Sequence, residues 1–422
     1  MNAKLNGLKE DKRMKQKVNK MLLTIVATSL MALVISSCNK NQGSTQSDNS
    51  SSENSSSEQS TSSTYEEDDS YEEYQGPINI DVASFNETIN LHSSIQNQYR
   101  SYLLEHPGEY DGITNFTTGT EELSRPVSVH FSWSATCEYD IIDSYLLKIS
   151  ENNNMYGSLK YETKATQIDI FNLKINTTYY YTVSAIINQK RATSDIKSFI
   201  TETNGPRNIY IDGVTNVRDI GGYLTPDGYT KQGLLYRTGR FNKSDVSEPI
   251  IEVTQKGIDM AKKYLNIKSE IDLRLNNESG GITSSPLGVD VTYKHIPMAW
   301  QVESIINNNI TGIRKIFNFM AEEDNYPMAF HCNIGTDRTG GISFLIEALL
   351  GVSIDDIYVD YVYSNFGNIG GTRSSSVIKS YINLVKDFSG ITLQERVYNY
   401  LVSKNIARET LDSVKSILGP EK

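Results

Sequence analysis

The sequence predicts an α/β domain, a mainly parallel sheet flanked by helices, preceded in the chain by an all-β sandwich. Three observations carry that prediction. From about Pro126 to Thr203 apolar and polar residues alternate at the period of half-buried strands. After Gly205-Pro206, short apolar runs alternate with longer helical patterns, as parallel strands joined by covering helices do. Within that second region an apolar run at 326–330 meets a small polar loop and then a helix-like run at 341–350. Such a junction lies at the carboxyl end of a central strand, where ligands bind in sheets of this kind.

Taken in order, residues 1–38 read as an export signal. Lysines and Arg13 precede an apolar run from Met21 to Ile35, shorter than the roughly 20 residues a membrane-spanning helix needs. The run ends at Ile35-Ser36-Ser37-Cys38, which resembles a bacterial lipoprotein cleavage box with Cys38 as the lipidated residue. The resemblance implies a lipid anchor at the extracellular face of the bacterial cell membrane; an uncleaved helix or an ordinary secretory signal are the alternatives. Residues 39–76 are rich in Ser, Asn and Gln and then acidic, a composition that buries no core and predicts a disordered tether. As a random coil it would span on the order of 35 Å.

Residues 77–122 contain one amphipathic helical candidate, Leu91 to Leu104, and no assigned role. Over 123–204, the strand-like segments Val127–Trp133, Tyr145–Ile149 and Leu173–Ala185 follow one another. Their spacing resembles the corner of fibronectin type III domains, which implies a buried Trp133 and a Tyr179 bonded back to the preceding loop. A spacer is the simplest role for such a domain. In the region 206–420, strands are predicted at 209–212, 234–237, 268–274, 291–297 and 326–332. Helices are predicted at 248–265, 302–321, 340–351, 353–363, 375–388 and 393–416.

The chemistry concentrates in His331-Cys332-Asn333-Ile334-Gly335-Thr336-Asp337-Arg338-Thr339-Gly340. A strand, a tight loop and a helix in that order make an anion trap, because loop N–H groups converge and the helix N-terminus adds partial positive charge. The same field favours a thiolate at Cys332 over the free thiol, whose ordinary pKa is about 8.5. Arg338 can hold two oxygens of a phosphate in a fork. A thiolate beneath a captured phosphate is the arrangement for covalent phosphoryl transfer. Neither Cys38 nor Cys137 has an arginine at the same spacing.

This string resembles the signature loop of the cysteine-dependent tyrosine phosphatases, and more closely the bacterial tyrosine/serine phosphatases whose loop carries Asp-Arg-Thr-Gly. Three further blocks support that resemblance: Asn216–Tyr223 with Gly233–Arg240, Ile271–Arg274, and Gly351–Tyr361. It implies the cysteine-phosphatase fold and named roles. Cys332 is the nucleophile. Arg338 and the loop residues Asn333, Ile334, Gly335, Thr336 and Asp337 bind the substrate phosphate. Thr339 and His331 stabilise the thiolate and the loop. The family usually has Lys where this chain has Thr336, which removes a cation and bears on substrate range.

The leaving group needs a proton donor. Relatives often place an Asp on a loop about thirty residues before the nucleophile, but Ile296–Gln301 holds no carboxylate. Asp337 in the loop is the first candidate, since an anion beside a bound phosphate is pushed toward its protonated form. Glu303 and Asp272 follow, although Asp272 reads better as an ion-pair partner of an arginine. Arg218, Asp219, Arg237 and Arg240 read equally well as structural salt-bridge partners.

Composition narrows the function class. The chain has 422 residues and a net charge of −11, which argues against nucleic acid, whose backbone demands a basic face. Five scattered histidines and no cysteine cluster argue against a metal site, and the cysteine chemistry needs no cofactor. The expected partner is a phosphorylated protein, or a phosphorylated small molecule or lipid. The expected activity is hydrolysis of phosphotyrosine or phosphoserine. Phosphoinositide or inositol phosphate hydrolysis, and an inert surface binding protein, are the competing readings.

Overall fold

The computed structural model describes residues 71–203, 205–243, 251–301 and 304–420. The signal region with Cys38, the tether up to residue 70, and Glu303 lie outside the described residues.

Two β-sheets form the first layer of structure. One has strands Ile78–Val82, Val129–Cys137 and Gln167–Ile170; the other has Glu72–Glu73, Lys190–Thr193, Thr178–Ile187, Ser144–Ser150 and Leu159–Thr163, with Lys197–Ile200 also pairing to Thr178–Ile187. Strand alternation explains their facing. Along Val129–Cys137, Val129, Phe131 and Trp133 are buried while His130 is exposed, and the buried side joins Leu147, Ile149, Tyr181 and Phe199 in one apolar core. The Lys174 backbone N–H donates to the Tyr179 hydroxyl at 2.9 Å. Trp133 is 6% exposed.

Several sequence expectations shift here. The tether stops short of residue 76: Glu72–Glu73 pairs in parallel with Lys190–Arg191, and the Tyr74 hydroxyl donates to Asp140 at 2.7 Å. The strand expected at 127–133 runs over Val129–Cys137, because Ile78–Val82 pairs with its far half. The amphipathic helix runs over Ser94–Glu105, since Ser93 caps it reciprocally with Gln96.

The site rests on a five-stranded sheet in the order Arg218–Asp219, Leu235–Thr238, Met328–His331, Ser269–Asp272, Thr292–His295. All neighbouring pairs are parallel except Arg218–Asp219 with Leu235–Thr238. The Met328–His331 strand is central. Its residues point alternately to two layers: Met328 and Phe330 to the larger core with helix Asp337–Leu350, and Ala329 to a second cluster with Ile211, Val217 and Tyr236.

The strand expected at 209–212 is absent. Ile209 and Ile211 are buried in the second cluster, but the Tyr210 N–H is taken by the Asn172 side chain and no ladder forms. Arg218–Asp219 takes the edge instead. The helix expected at 340–351 starts earlier, at Asp337, so Asp337, Arg338 and Thr339 form its first turn. The helix expected at 302–321 is broken at Asn309, whose side chain bonds Ala299. The helix expected at 393–416 divides into Leu393–Ser403 and Arg408–Leu418, where Asn405 adopts a left-handed φ of 61°. Among the described residues of the 248–265 pattern, Gln255–Asp259 is α-helical and continues as a π turn through Tyr264.

Residues 77–122 are built into both halves. Beyond the strand at 78–82, Tyr99 and Ile113 lie fully buried in the core of the larger α/β cluster. Gln96 Nε2 donates to the carbonyls of Leu123 and Arg125. His92 bridges Glu202 and the Pro206 carbonyl.

Candidate active site

Cys332 leaves the end of the central strand and is 2% exposed. The loop after it is pinned from behind through its carbonyl groups. Arg240 Nη1 donates to Asn333 Oδ1 at 3.0 Å, and the Arg240 backbone N–H donates to the Asn333 carbonyl at 3.2 Å. Asn216 Nδ2 donates to the Ile334 carbonyl at 3.0 Å, and Arg237 Nη2 to the Gly335 carbonyl at 3.0 Å. In a planar trans peptide the next N–H points opposite to the carbonyl. The amides of Ile334, Gly335 and Thr336 therefore face away from these partners, toward the thiol side. Gly335 has a φ of +72°, and a Cβ there would lie 2.5 Å from the Thr238 carbonyl oxygen. No other residue fits that turn.

Helix Asp337–Leu350 then points its N-terminus at the loop, with every residue from Arg338 to Leu350 buried. Burial pushes the Cys332 thiol up, but Arg338, then the hydroxyl and backbone N–H of Thr339, outweigh it against the opposing charge of Asp337. The net result is a thiol below its ordinary range. The Thr339 hydroxyl is buried and makes no hydrogen bond to a protein nitrogen or oxygen, which leaves its proton for the sulfur.

Among the described residues, Arg338 is held through one nitrogen. Its Nη1 donates to Glu278 Oε2 at 2.5 Å and to the carbonyls of Leu273 and Met298 at 3.3 Å. Its Nε is buried with no acceptor among the described residues. The Nε–Nη2 edge is thus left for two oxygens of an anion. Glu278 is itself fixed by the Leu275 N–H and by the Trp300 indole, 2.8 Å from Oε1.

His331 sits beneath the loop, fully buried. Nε2 lies 2.8 Å from Glu270 Oε1, and Nδ1 lies 3.0 Å from the Cys332 carbonyl and 3.9 Å from Asp272 Oδ1. Burial pushes the imidazole down, but Asp272 and Glu270 outweigh it and raise it above its ordinary value. Asp272 accepts from Arg274 and from the Tyr293 hydroxyl. Burial pushes it up, and His331 and Arg274 hold it down to about 2. A carboxylate so held is no proton donor near neutral pH, so Asp272 belongs to the support and not to the chemistry.

The remaining expected residues are placed as follows. Thr336 is buried and takes a hydrogen bond from Asn216 Nδ2 at 3.2 Å, so it faces backward and not the mouth. Asp337 lies at the rim and accepts from Arg373 Nε at 3.2 Å. Arg218 and Arg237 converge on Asp360, all three essentially unexposed, and Arg207 pairs with Asp219 at 2.5 Å. Sequence reasoning missed Glu270, Glu278, Asp360 and Arg373. Their partners lie 36 to 142 residues away; Asp360 falls within the Gly351–Tyr361 block but nothing there marks its role, and the other three sit in no recognisable local pattern.

Parts of this chain are similar to known proteins. The profile described as Tyrosine phosphatase family matches residues 209–416. A Cupriavidus necator protein provisionally named a tyrosine-protein phosphatase is 27% identical over 180 residues, covering 39% of this chain and 65% of that protein's length. The core catalytic domain of the PP-IP phosphatase SIW14 from S. cerevisiae, in complex with citrate, aligns at 18% identity and TM-score 0.26, covering 38% of this chain and 85% of that one. A second SIW14 catalytic core aligns at 15% identity and TM-score 0.28, covering 44% and 91%. Residues 209–416 of this chain match the tyrosine phosphatase family, over a mixed α/β fold whose central strand leads into the Cys332–Arg338 loop.

Proposed function

We propose that this chain is an exported, lipid-anchored phosphatase that hydrolyses phosphotyrosine, and also phosphoserine, through a phosphocysteine intermediate. The observation that carries the reading is the lowered Cys332 thiol beside an Arg338 whose Nε has no acceptor among the described residues. The thiolate attacks phosphorus in line with the ester oxygen. The S–P bond forms as the P–O bond breaks, and the phosphoryl oxygens rest on the loop amides and the free edge of Arg338. Asp337 gives its proton to the departing oxygen. Water then attacks the phosphocysteine, Asp337 takes a proton from it, and phosphate leaves.

The inositol phosphate or phosphoinositide reading uses the same chemistry and asks for further cations at the loop. Arg240 is engaged by Asn333 and Arg373 by Asp337, and Thr336 supplies no charge. That favours a substrate with a single phosphate. The inert-binder reading has no use for the intact set of Cys332, Asp337 and Arg338. The fibronectin type III-like region is read as a spacer between Cys38 and the catalytic half.

Cys332→Ser should abolish turnover of a panel of phosphopeptides, phosphoinositides and inositol phosphates while still binding phosphate, because a hydroxyl is a poor nucleophile at neutral pH. Residual turnover in that variant refutes the covalent mechanism, and the wild-type preference within the panel decides between the substrate classes. Cys38→Ala should move the protein out of the membrane fraction; unchanged fractionation favours an uncleaved helix.

A further inference from the structure

Arg373 has no place in the signature string, yet the fold takes unusual care to deliver it. It lies on the loop between the turn Ser364–Phe366 and helix Ser376–Val385. Its backbone is bracketed on both sides by the buried Asn365: the Arg373 N–H donates to Oδ1 at 2.6 Å and its carbonyl accepts from Nδ2 at 2.9 Å. The Asn365 carbonyl in turn accepts from Thr117 Oγ1 at 2.8 Å. Either side of Arg373, Ile369 and Gly371 donate their N–H groups to the Gly119 carbonyl, and Asp111 accepts from Ser374 Oγ and the Ser375 N–H. The segment 111–119 thus clamps the whole loop. The side chain it holds reaches Asp337 Oδ1 at 3.2 Å, with both partners about 30% exposed. An ion pair that exposed adds little to stability. The framework therefore serves position.

We propose that Arg373 is a positioning residue for Asp337, aiming its carboxyl at the leaving-group oxygen and stabilising the charge left when the proton departs. The inference rests on the phosphatase reading above, with Asp337 as donor. In the first step the proton passes from Asp337 to the ester oxygen as the P–O bond breaks, and the carboxylate so formed faces the guanidinium. In the second step the carboxylate recovers a proton from the attacking water. Asp337 also bears electrostatically on Cys332, Tyr361 and Tyr381, while the adjacent cation, Arg338, is turned to Glu278 and to the carbonyls of Leu273 and Met298.

The test compares Arg373→Gln and Arg373→Lys in the full chain on phenyl phosphate and 4-nitrophenyl phosphate, alone and with Asp337→Asn. General acid catalysis is worth about 10²–10⁴-fold, and a misaimed donor forfeits a part of it, on the order of tenfold. Arg373→Gln should lose about that much kcat/KM, which reads the first step alone, on phenyl phosphate, whose leaving group needs the proton, and no more than about twofold on the nitrophenyl ester. Arg373→Lys should recover most of the loss, and Arg373→Gln should add nothing once Asp337 is Asn. Equal losses on both esters or additivity with Asp337→Asn would overturn the proposal. Asp111→Ala, which loosens the clamp without touching the pair, should reproduce the selective loss more weakly. Absence of any Cys332-dependent turnover in the wild type would instead refute the underlying phosphatase reading, so the two failures are separable.

Discussion

Replacing Asp360 with Asn tests the framework beneath the phosphate loop. Asp360 Oδ1 accepts from Arg218 Nε at 2.9 Å, its carbonyl accepts from Arg218 Nη2 at 2.8 Å, and Oδ2 accepts from Arg237 Nη1. The two arginines are 0% exposed and Asp360 is 1% exposed. Burial pushes the Asp360 carboxyl up, but Arg218 and then Arg237 outweigh it and hold it down to about 2, while burial and then Asp360 itself push the neighbouring Glu347 well up. Asn keeps the shape and removes the carboxylate charge that both guanidinium groups contact. Breaking a buried pair from one side costs about 3–5 kcal/mol, because the remaining charge stays buried. For a domain of this size each kcal/mol is worth about 2–4 °C, so Tm should fall by roughly 6–20 °C. Arg237 also holds the Gly335 carbonyl, so KM should rise at temperatures where the variant is still folded. The sign with pH is fixed: a depressed carboxyl stabilises above its unfolded value near 4, and that stability fades as pH falls toward about 2. The Tm gap between wild type and variant should hold from pH 7 to about 5 and close at lower pH. A gap under about 2 °C at pH 7 would refute the reasoning.

Two further outcomes follow from the site itself. The ultraviolet absorbance of the thiolate, taken as the difference from Cys332→Ser, should persist as pH falls through the ordinary thiol range; Arg338→Met should move the transition upward, since burial then dominates, and an unmoved transition would show that Arg338 does not govern the thiol. Glu278→Gln should weaken the anchor on Arg338 Nη1 and lower kcat/KM by about tenfold with both acidic and basic leaving groups, whereas a loss confined to poor leaving groups would assign Glu278 a role in proton transfer.

The strand–loop–helix at Cys332 was legible because it is local: an apolar run, a glycine that must turn left, and a helix follow within one stretch of chain. What surrounds it was not. Glu278, Asp360 and Arg373 act through partners far away in sequence, and a single acidic or basic residue on a helix or loop carries no mark of its partner. Asp272 reads from the sequence as the ion-pair partner of an arginine near the strand end, and Arg274 is that partner. The missing strand at 209–212 shows the opposite hazard. Two buried isoleucines at spacing two imitate a strand, while the backbone beside them is bonded to an asparagine side chain. Helix ends erred by a few residues wherever a cap decided them, as at Ser93 and Asn405.

Residues 78–124 contribute a strand to one apolar core and Tyr99 and Ile113 to the other, while the recognisable family domain begins only at residue 209. The two halves are accordingly not interchangeable cassettes. A fragment cut at Pro206 to match the family boundary would lack two fully buried side chains and would open a void against Tyr363 and Phe366, whose rings pack on Tyr99 at 6.0 Å. Shuffling the family domain onto another scaffold would have to carry this upstream stretch along, even though it is separated from residue 209 by the whole intervening sandwich.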